Sequence, residues 1–105
     1  MRAGIKLEWE EVGGGREASR GANVTVAYQL SLNQGEVVQS VKSYSFALGK
    51  RHVIAALEYG VEGMRVGGRR RFRAGPHLGY RDVGVAGVIP PNAVLIFDVT
   101  LLAVS

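Results

Sequence analysis

Apolar and polar side chains alternate with period two along much of this chain, which commits it to β-strands, because a strand turns successive residues to opposite faces. Ile5, Leu7 and Trp9 alternate with Lys6, Glu8 and Glu10, and Val24, Val26, Tyr28, Leu30 and Leu32 alternate with Thr25, Ala27, Gln29 and Ser31. Tyr44, Phe46 and Leu48 alternate with Ser43, Ser45 and Gly49, while Leu95, Phe97, Val99 and Leu101 form the more apolar face of a last segment. Over residues 69–74 the pattern turns Phe72 and Ala74 inward, and parity sets Arg70 on that same face, near a strand end where it can snorkel. Five strands with one apolar face each need a cover.

The cover available is one short helix over residues 53–59, where Val53, Ile54 and Leu57 share a stripe, Ala55 and Ala56 favour helix, and Gly60 supplies a stop. One helix against one antiparallel sheet is the α+β class, and the sheet is expected to curve strongly around the helix as a half-barrel. Asn33-Gln34-Gly35 reads as a hairpin in which Gly35 takes a positive φ. Gly13-Gly14-Gly15 reads as a flexible connection, since the Gly-Lys-Ser/Thr that would complete a phosphate loop does not follow it. With no internal repeat and only 105 residues, 47% of them apolar and 21% charged, residues 1–105 are expected to form one domain. Its core is small, as a chain of this size buries only about two thirds of its unfolded surface.

Composition then narrows the function. Without cysteine there is no disulfide, thiolate nucleophile or Cys-based zinc site, and His52 and His77 are too isolated to build a metal site, so neither metal nor cofactor is expected. Residues 1–9 carry alternating charges in place of an apolar targeting segment, and no apolar run is long enough to span a bilayer; the expectation is a soluble, cytoplasmic protein without a membrane partner. The net charge of +4 draws largely on Arg65, Arg69, Arg70, Arg71 and Arg73. Only Phe72 interleaves that cluster, so it lacks the stacking platform of a single-strand binder, and no specific nucleic-acid partner is expected.

From residue 48 onward the residues come in a specific order: Leu48-Gly49, Val53-Ile54, Gly63-Met64, Gly67, Gly79-Tyr80, then residues 88–93 (Val-Ile-Pro-Pro-Asn-Ala) and 95–102 (Leu-Ile-Phe-Asp-Val-Thr-Leu-Leu). This order resembles the FKBP family of peptidyl-prolyl cis-trans isomerases. The N-terminal half matches more loosely through residues 24–28, where Ala27-Tyr28 stands for the family's usual His-Tyr pair, and through Gly35. The resemblance implies a half-barrel sheet curled around the helix and an apolar cleft that takes Xaa-Pro segments of peptides or unfolded proteins, with a monomer as the working unit.

Position by position, the resemblance implies that Tyr28, Ile54, Tyr80 and Phe97 carry catalysis, with the Ile54 backbone N–H and the Tyr80 hydroxyl bonding substrate carbonyls. It places Val38, Gln39, Tyr44, Phe46, Val53, Leu57, Val85, Val88 and Ile89 around the substrate. Four positions depart from the family: Leu57 replaces a pocket-floor tryptophan, Val38 a phenylalanine, Gln39 an aspartate and Val85 a histidine found in some members. The segment over residues 39–44 is also shorter than usual. A tryptophan buries roughly 150–250 Å², and losing about a third of that at ~25 cal/mol per Å² removes on the order of 1–2 kcal/mol of contact. Low to moderate isomerase activity and reduced affinity for macrocyclic FKBP ligands follow. The alternatives are a proline-peptide binding or chaperone-like module with little turnover, and a basic adaptor acting through the arginine cluster.

Overall fold

A computed structural model describes residues 4–105, so the first three residues of the expected domain lie outside it. Its strands are β1 (Ile5–Glu11), β2 (Asn23–Leu32), β3 (Val37–Ala47), β4 (Arg69–Ala74) and β5 (Leu95–Val104). One α-helix, α1 (Ala55–Val61), and a 3-10 turn (Pro76–Leu78) complete the elements. Every strand pair is antiparallel and the order is β1-β4-β5-β2-β3, an open, curved sheet that leaves β1 and β3 as edges. The inward residues of β2, β4 and β5 (among them Val26, Leu30, Phe72, Phe97 and Val99) meet Leu57 and Val61 of the helix in the core. The expected α+β half-barrel is what the chain forms.

Three local expectations give way to the structure. In β1 the register slips between Leu7 and Trp9: Leu7 still pairs with inward Phe72, whereas Trp9 pairs with Arg71 and Glu10 with Arg70. A bulge of this kind reverses parity. Trp9 therefore leaves the apolar face for the outer one, where the Arg69 guanidinium lies 5.3 Å from its ring centroid, and Glu10 swings inward. The third strand begins at Val37, not near Ser43, because register shifts opposite β2 break the alternation on which a sequence pattern depends. Gly13 and Gly15 are packed against Val66 instead of forming a free connection: the Gly15 N–H donates to the Val66 carbonyl at 3.1 Å, and a side chain on Gly13 would begin 2.2 Å from that oxygen.

The helix is also displaced. It starts after Ile54, which is extended at φ −60° and ψ 150° and accepts the N–H groups of Leu57 and Glu58, and it passes through Gly60 to Val61. Gly60 does not end it. A Cβ there would stand 2.0 Å from Phe72 Cζ, so glycine is required to let the helix settle on that ring. The ending falls to Arg70, which is 7% exposed and does not snorkel. Its Nη1 donates to the carbonyls of Gly60 at 2.9 Å and Glu62 at 3.1 Å, and its Nε and Nη2 both reach Glu10 Oε2. Arginine can bond a helix's last carbonyls in this way.

Candidate active site

The concave face of the sheet is covered unevenly, because α1 packs against β4, β1 and β5 and leaves the β2–β3 side open. A cleft of about 550 Å³ occupies that opening. Tyr28 and Leu30 enter it from β2, two residues apart on one strand face, and Phe97 comes from β5 opposite Leu30. Gln39, Val41 and Tyr44 come from β3. Without the register shift between Val26 and Tyr28, strict alternation would set Tyr44 and Val41 on opposite faces; the bulge turns both, and Gln39 with them, toward the cleft. His52, Val53, Ile54 and Leu57 line it from the helix start, and Tyr80 from the loop after the 3-10 turn.

The lining is aromatic and apolar with a few polar atoms set into it. Tyr28 and Phe97 rings are 5.8 Å apart at 52°, and Phe97 stacks in turn on buried Phe72 at 5.4 Å and 20°. That continuity ties the cleft wall to the core. The Tyr28 hydroxyl donates to Gln39 Oε1 at 3.3 Å. Burial, followed by the proximity of the Tyr80 and Tyr44 phenols, raises its pKa above the ordinary 10.0, so it stays a protonated donor at any physiological pH. Leu57 is 3% exposed and closes the inner end. Among the described residues the Ile54 N–H has no protein acceptor, since the extended Ile54 precedes the first helical turn. No carboxylate, thiol or amine lines the cleft, and the His52 imidazole is the one side chain in its lining able to act as a base or nucleophile near neutral pH, so the arrangement serves chiefly to hold and orient a ligand. Among the described residues no cluster of His, Cys, Asp or Glu fits a metal.

The structure thus gathers eight of the expected site residues in one cleft: Tyr28, Gln39, Tyr44, Val53, Ile54, Leu57, Tyr80 and Phe97. Five others lie outside its lining. Phe46 is buried behind Tyr44, with ring centroids 5.9 Å apart, and Val38 packs against the core. Val85, Val88 and Ile89 belong to a loop pinned by paired hydrogen bonds between Val85 and Ile89, and this loop faces a separate groove. Leu30, Val41 and His52 line the cleft without having been singled out as site residues. Leu30 was legible, two residues beyond Tyr28 on one face, and His52 adjoins Val53; Val41 depends on the bulge and gave no signal.

Comparison with known proteins agrees with this fold. Residues 14–102 match the family described as FKBP-type peptidyl-prolyl cis-trans isomerase. A relative from Neurospora crassa, FK506-binding protein 4, is 43% identical over 105 residues, which cover 97% of this chain and 22% of that one. FK506-binding protein 1A of the same organism is 34% identical over 107 residues, covering 97% and 89%. The chain spans 21–30% of the length of several larger curated relatives, including the 39 kDa FK506-binding nuclear protein of Drosophila melanogaster. The solved structure of AtFKBP13 superposes with a TM-score of 0.85 at 29% identity, covering 96% of this chain and 91% of that one. In fold and in sequence, this chain belongs to the FKBP-type peptidyl-prolyl cis-trans isomerase family.

Proposed function

We propose that the protein catalyses cis/trans isomerisation of Xaa-Pro bonds within the cleft formed by Tyr28, Leu57, Tyr80 and Phe97. The uncatalysed rotation is slow because twisting the amide sacrifices about 18–20 kcal/mol of resonance. A water-poor, apolar pocket lowers that barrier by disfavouring the charge-separated planar amide and by fitting the twisted form better. No acid or nucleophile is required, in keeping with a lining that holds no carboxylate, thiol or amine. Leu57 closes the end that would receive the proline ring, the Ile54 N–H and Tyr80 hydroxyl hold substrate carbonyls, and Tyr28 with Phe97 forms the aromatic wall.

The observation that carries this reading is the meeting of an extended, unsatisfied Ile54 N–H with three tyrosines over one apolar hollow. Leucine in place of a larger floor residue supports low to moderate turnover and weakened binding of macrocyclic FKBP ligands. The same substitution favours, as second reading, a chaperone-like module that holds proline segments with little turnover. We place the protein in the cytoplasm as a monomeric folding catalyst; among the described residues no helix is long and apolar enough to cross a membrane. Fractionation and sedimentation check those two points. The central test is isomerisation of a panel of Xaa-Pro peptides at rising protein concentration. The rate should increase in proportion to protein; a rate equal to the spontaneous one throughout leaves only the binding module.

A further inference from the structure

Val53 lines not only the proline cleft but also a second depression of about 530 Å³, and the chemistry there is of another kind. Arg20, Arg51 and Arg81 bound it. Two of these alternate along the chain with cleft residues: Arg51 directly precedes His52 and Val53, and Arg81 directly follows Tyr80. Arg51 and Arg81 hold left-handed backbone at φ 59° and 54°, a conformation costly for arginine and natural to glycine. Arg81 is locked in it, its N–H donating to the Pro76 carbonyl at 3.0 Å and its own carbonyl accepting the Asn92 N–H at 2.7 Å. The loop therefore keeps a cation at a position where a neutral glycine would cost less.

These arginines also lack what the five clustered ones have. Arg65, Arg69, Arg70, Arg71 and Arg73 each form an ion pair, with Glu17, Asp98, Glu10 or Glu8. Among the described residues, Arg20, Arg51 and Arg81 form none and are exposed. Two carboxylates share their depression. That of Glu58 is buried and accepts the Gly49 N–H, and that of Glu62 pairs with none of the three. Three guanidinium groups are left facing solvent beside the substrate cleft, in the planar form that suits carboxylate and phosphate.

We propose that this basic depression is a subsite of the proline cleft that selects Xaa-Pro segments carrying an anionic side chain, carboxylate or phosphate, beside the isomerising bond. The proposal rests on the isomerase reading for its substrate. A peptide crossing Val53 places its proline in the apolar cleft and its anion among the arginines. Because the arginines are exposed, the gain is modest and screened by salt.

The test compares peptides that differ only in Gln, Glu or phosphoserine at each position flanking the proline. With the wild-type protein at low salt, kcat/KM for the best-placed Glu peptide should exceed that of its Gln twin by about two- to fivefold. Phosphoserine should exceed Glu, as its charge is near −2, and both ratios should shrink toward one in high salt. Arg20→Gln, Arg51→Gln and Arg81→Gln, singly and together, should reduce the ratio, while Lys6→Gln on the outer face should not. Equal rates for the Gln, Glu and phosphoserine peptides overturn this proposal and leave the isomerase reading standing. A preference that survives the triple variant, or falls equally in Lys6→Gln, reports overall charge only and also overturns it. Absence of turnover for every peptide removes the isomerase reading instead; fluorescence anisotropy on the same peptides then decides, and equal affinities for Gln and Glu overturn the subsite.

Discussion

The two ends of the concave face use the same sheet and the same helix to opposite effect. At the β1–β4–β5 end Phe72 fills the space above Gly60 and Arg70 closes the helix terminus, so the apolar interior between helix and sheet is filled there. At the β2–β3 end the helix presents Leu57 in place of a glycine seat, and a cleft of about 550 Å³ stays open. Phe97 belongs to both, stacked on Phe72 and tilted against Tyr28. Substitutions at the closed end should therefore change stability and leave ligand affinity alone, and those at the open end should do the reverse.

The largest effect is expected at Arg70. Arg70→Leu leaves Glu10 and the carbonyls of Gly60 and Glu62 without their donor in a mostly buried setting. Breaking a buried pair from one side costs about 3–5 kcal/mol, and the partial exposure of Glu10 puts this case near the lower figure. A fall in Tm of roughly 12–24 °C follows for a chain of this size. Thermal melting checks it; a change of only a few degrees would mean that the closed end is not the source of stability.

Leu57→Trp acts on the open end. A larger floor extends the apolar contact offered to a proline ring and should tighten proline-mimicking ligands by about tenfold, or ~1.4 kcal/mol, with Tm shifted by a few degrees at most. A loss of ~1–3 kcal/mol in stability without tighter binding would show that the cleft has closed around leucine and is overpacked by the larger ring. Unchanged affinity and unchanged stability together would remove Leu57 from the floor. Titration calorimetry and melting on one sample separate the three results.

The smallest effect concerns Tyr28. Its pKa is raised in the folded state, mainly by burial, so below about pH 10 both folded and unfolded chains keep the proton and no stability depends on it. As pH rises past the ordinary value, the unfolded chain ionises first, and stability declines through the folded value. Tyr28→Phe should flatten part of that alkaline decline while costing little at neutral pH, where only the 3.3 Å bond to Gln39 is lost. Melting curves from pH 8 to 11 for both proteins test this, and parallel curves would place the Tyr28 hydroxyl in open water.

Where alternation was unbroken, in β2 and in β5 as far as Leu101, the pattern alone located the strands and their inward residues, Tyr28, Leu30 and Phe97 included. Where a bulge intervened, the pattern misdirected: Trp9 went outward, Glu10 inward, and Val41 reached the cleft unannounced. The clustered arginines at 65, 69, 70, 71 and 73 stand close together in the sequence, yet each carries an ion pair. The arginines left unpaired around the second depression come from positions 20, 51 and 81, which only folding brings together.

By itself the sequence determined the strand-rich class, the single short helix and the family, because these depend on residue order and on local periodicity that each segment carries alone. The tertiary structure decided which side of each bulged strand faces inward, why Gly60 lies within the helix, and how an arginine inside a strand caps that helix. Those outcomes depend on partners twelve and sixty residues away: Phe72 for Gly60, and Glu10 for Arg70. No local pattern encodes the distance between such groups, and the same is true of the open space between Tyr28 and Leu57, which exists only because the helix covers one end of the sheet and not the other.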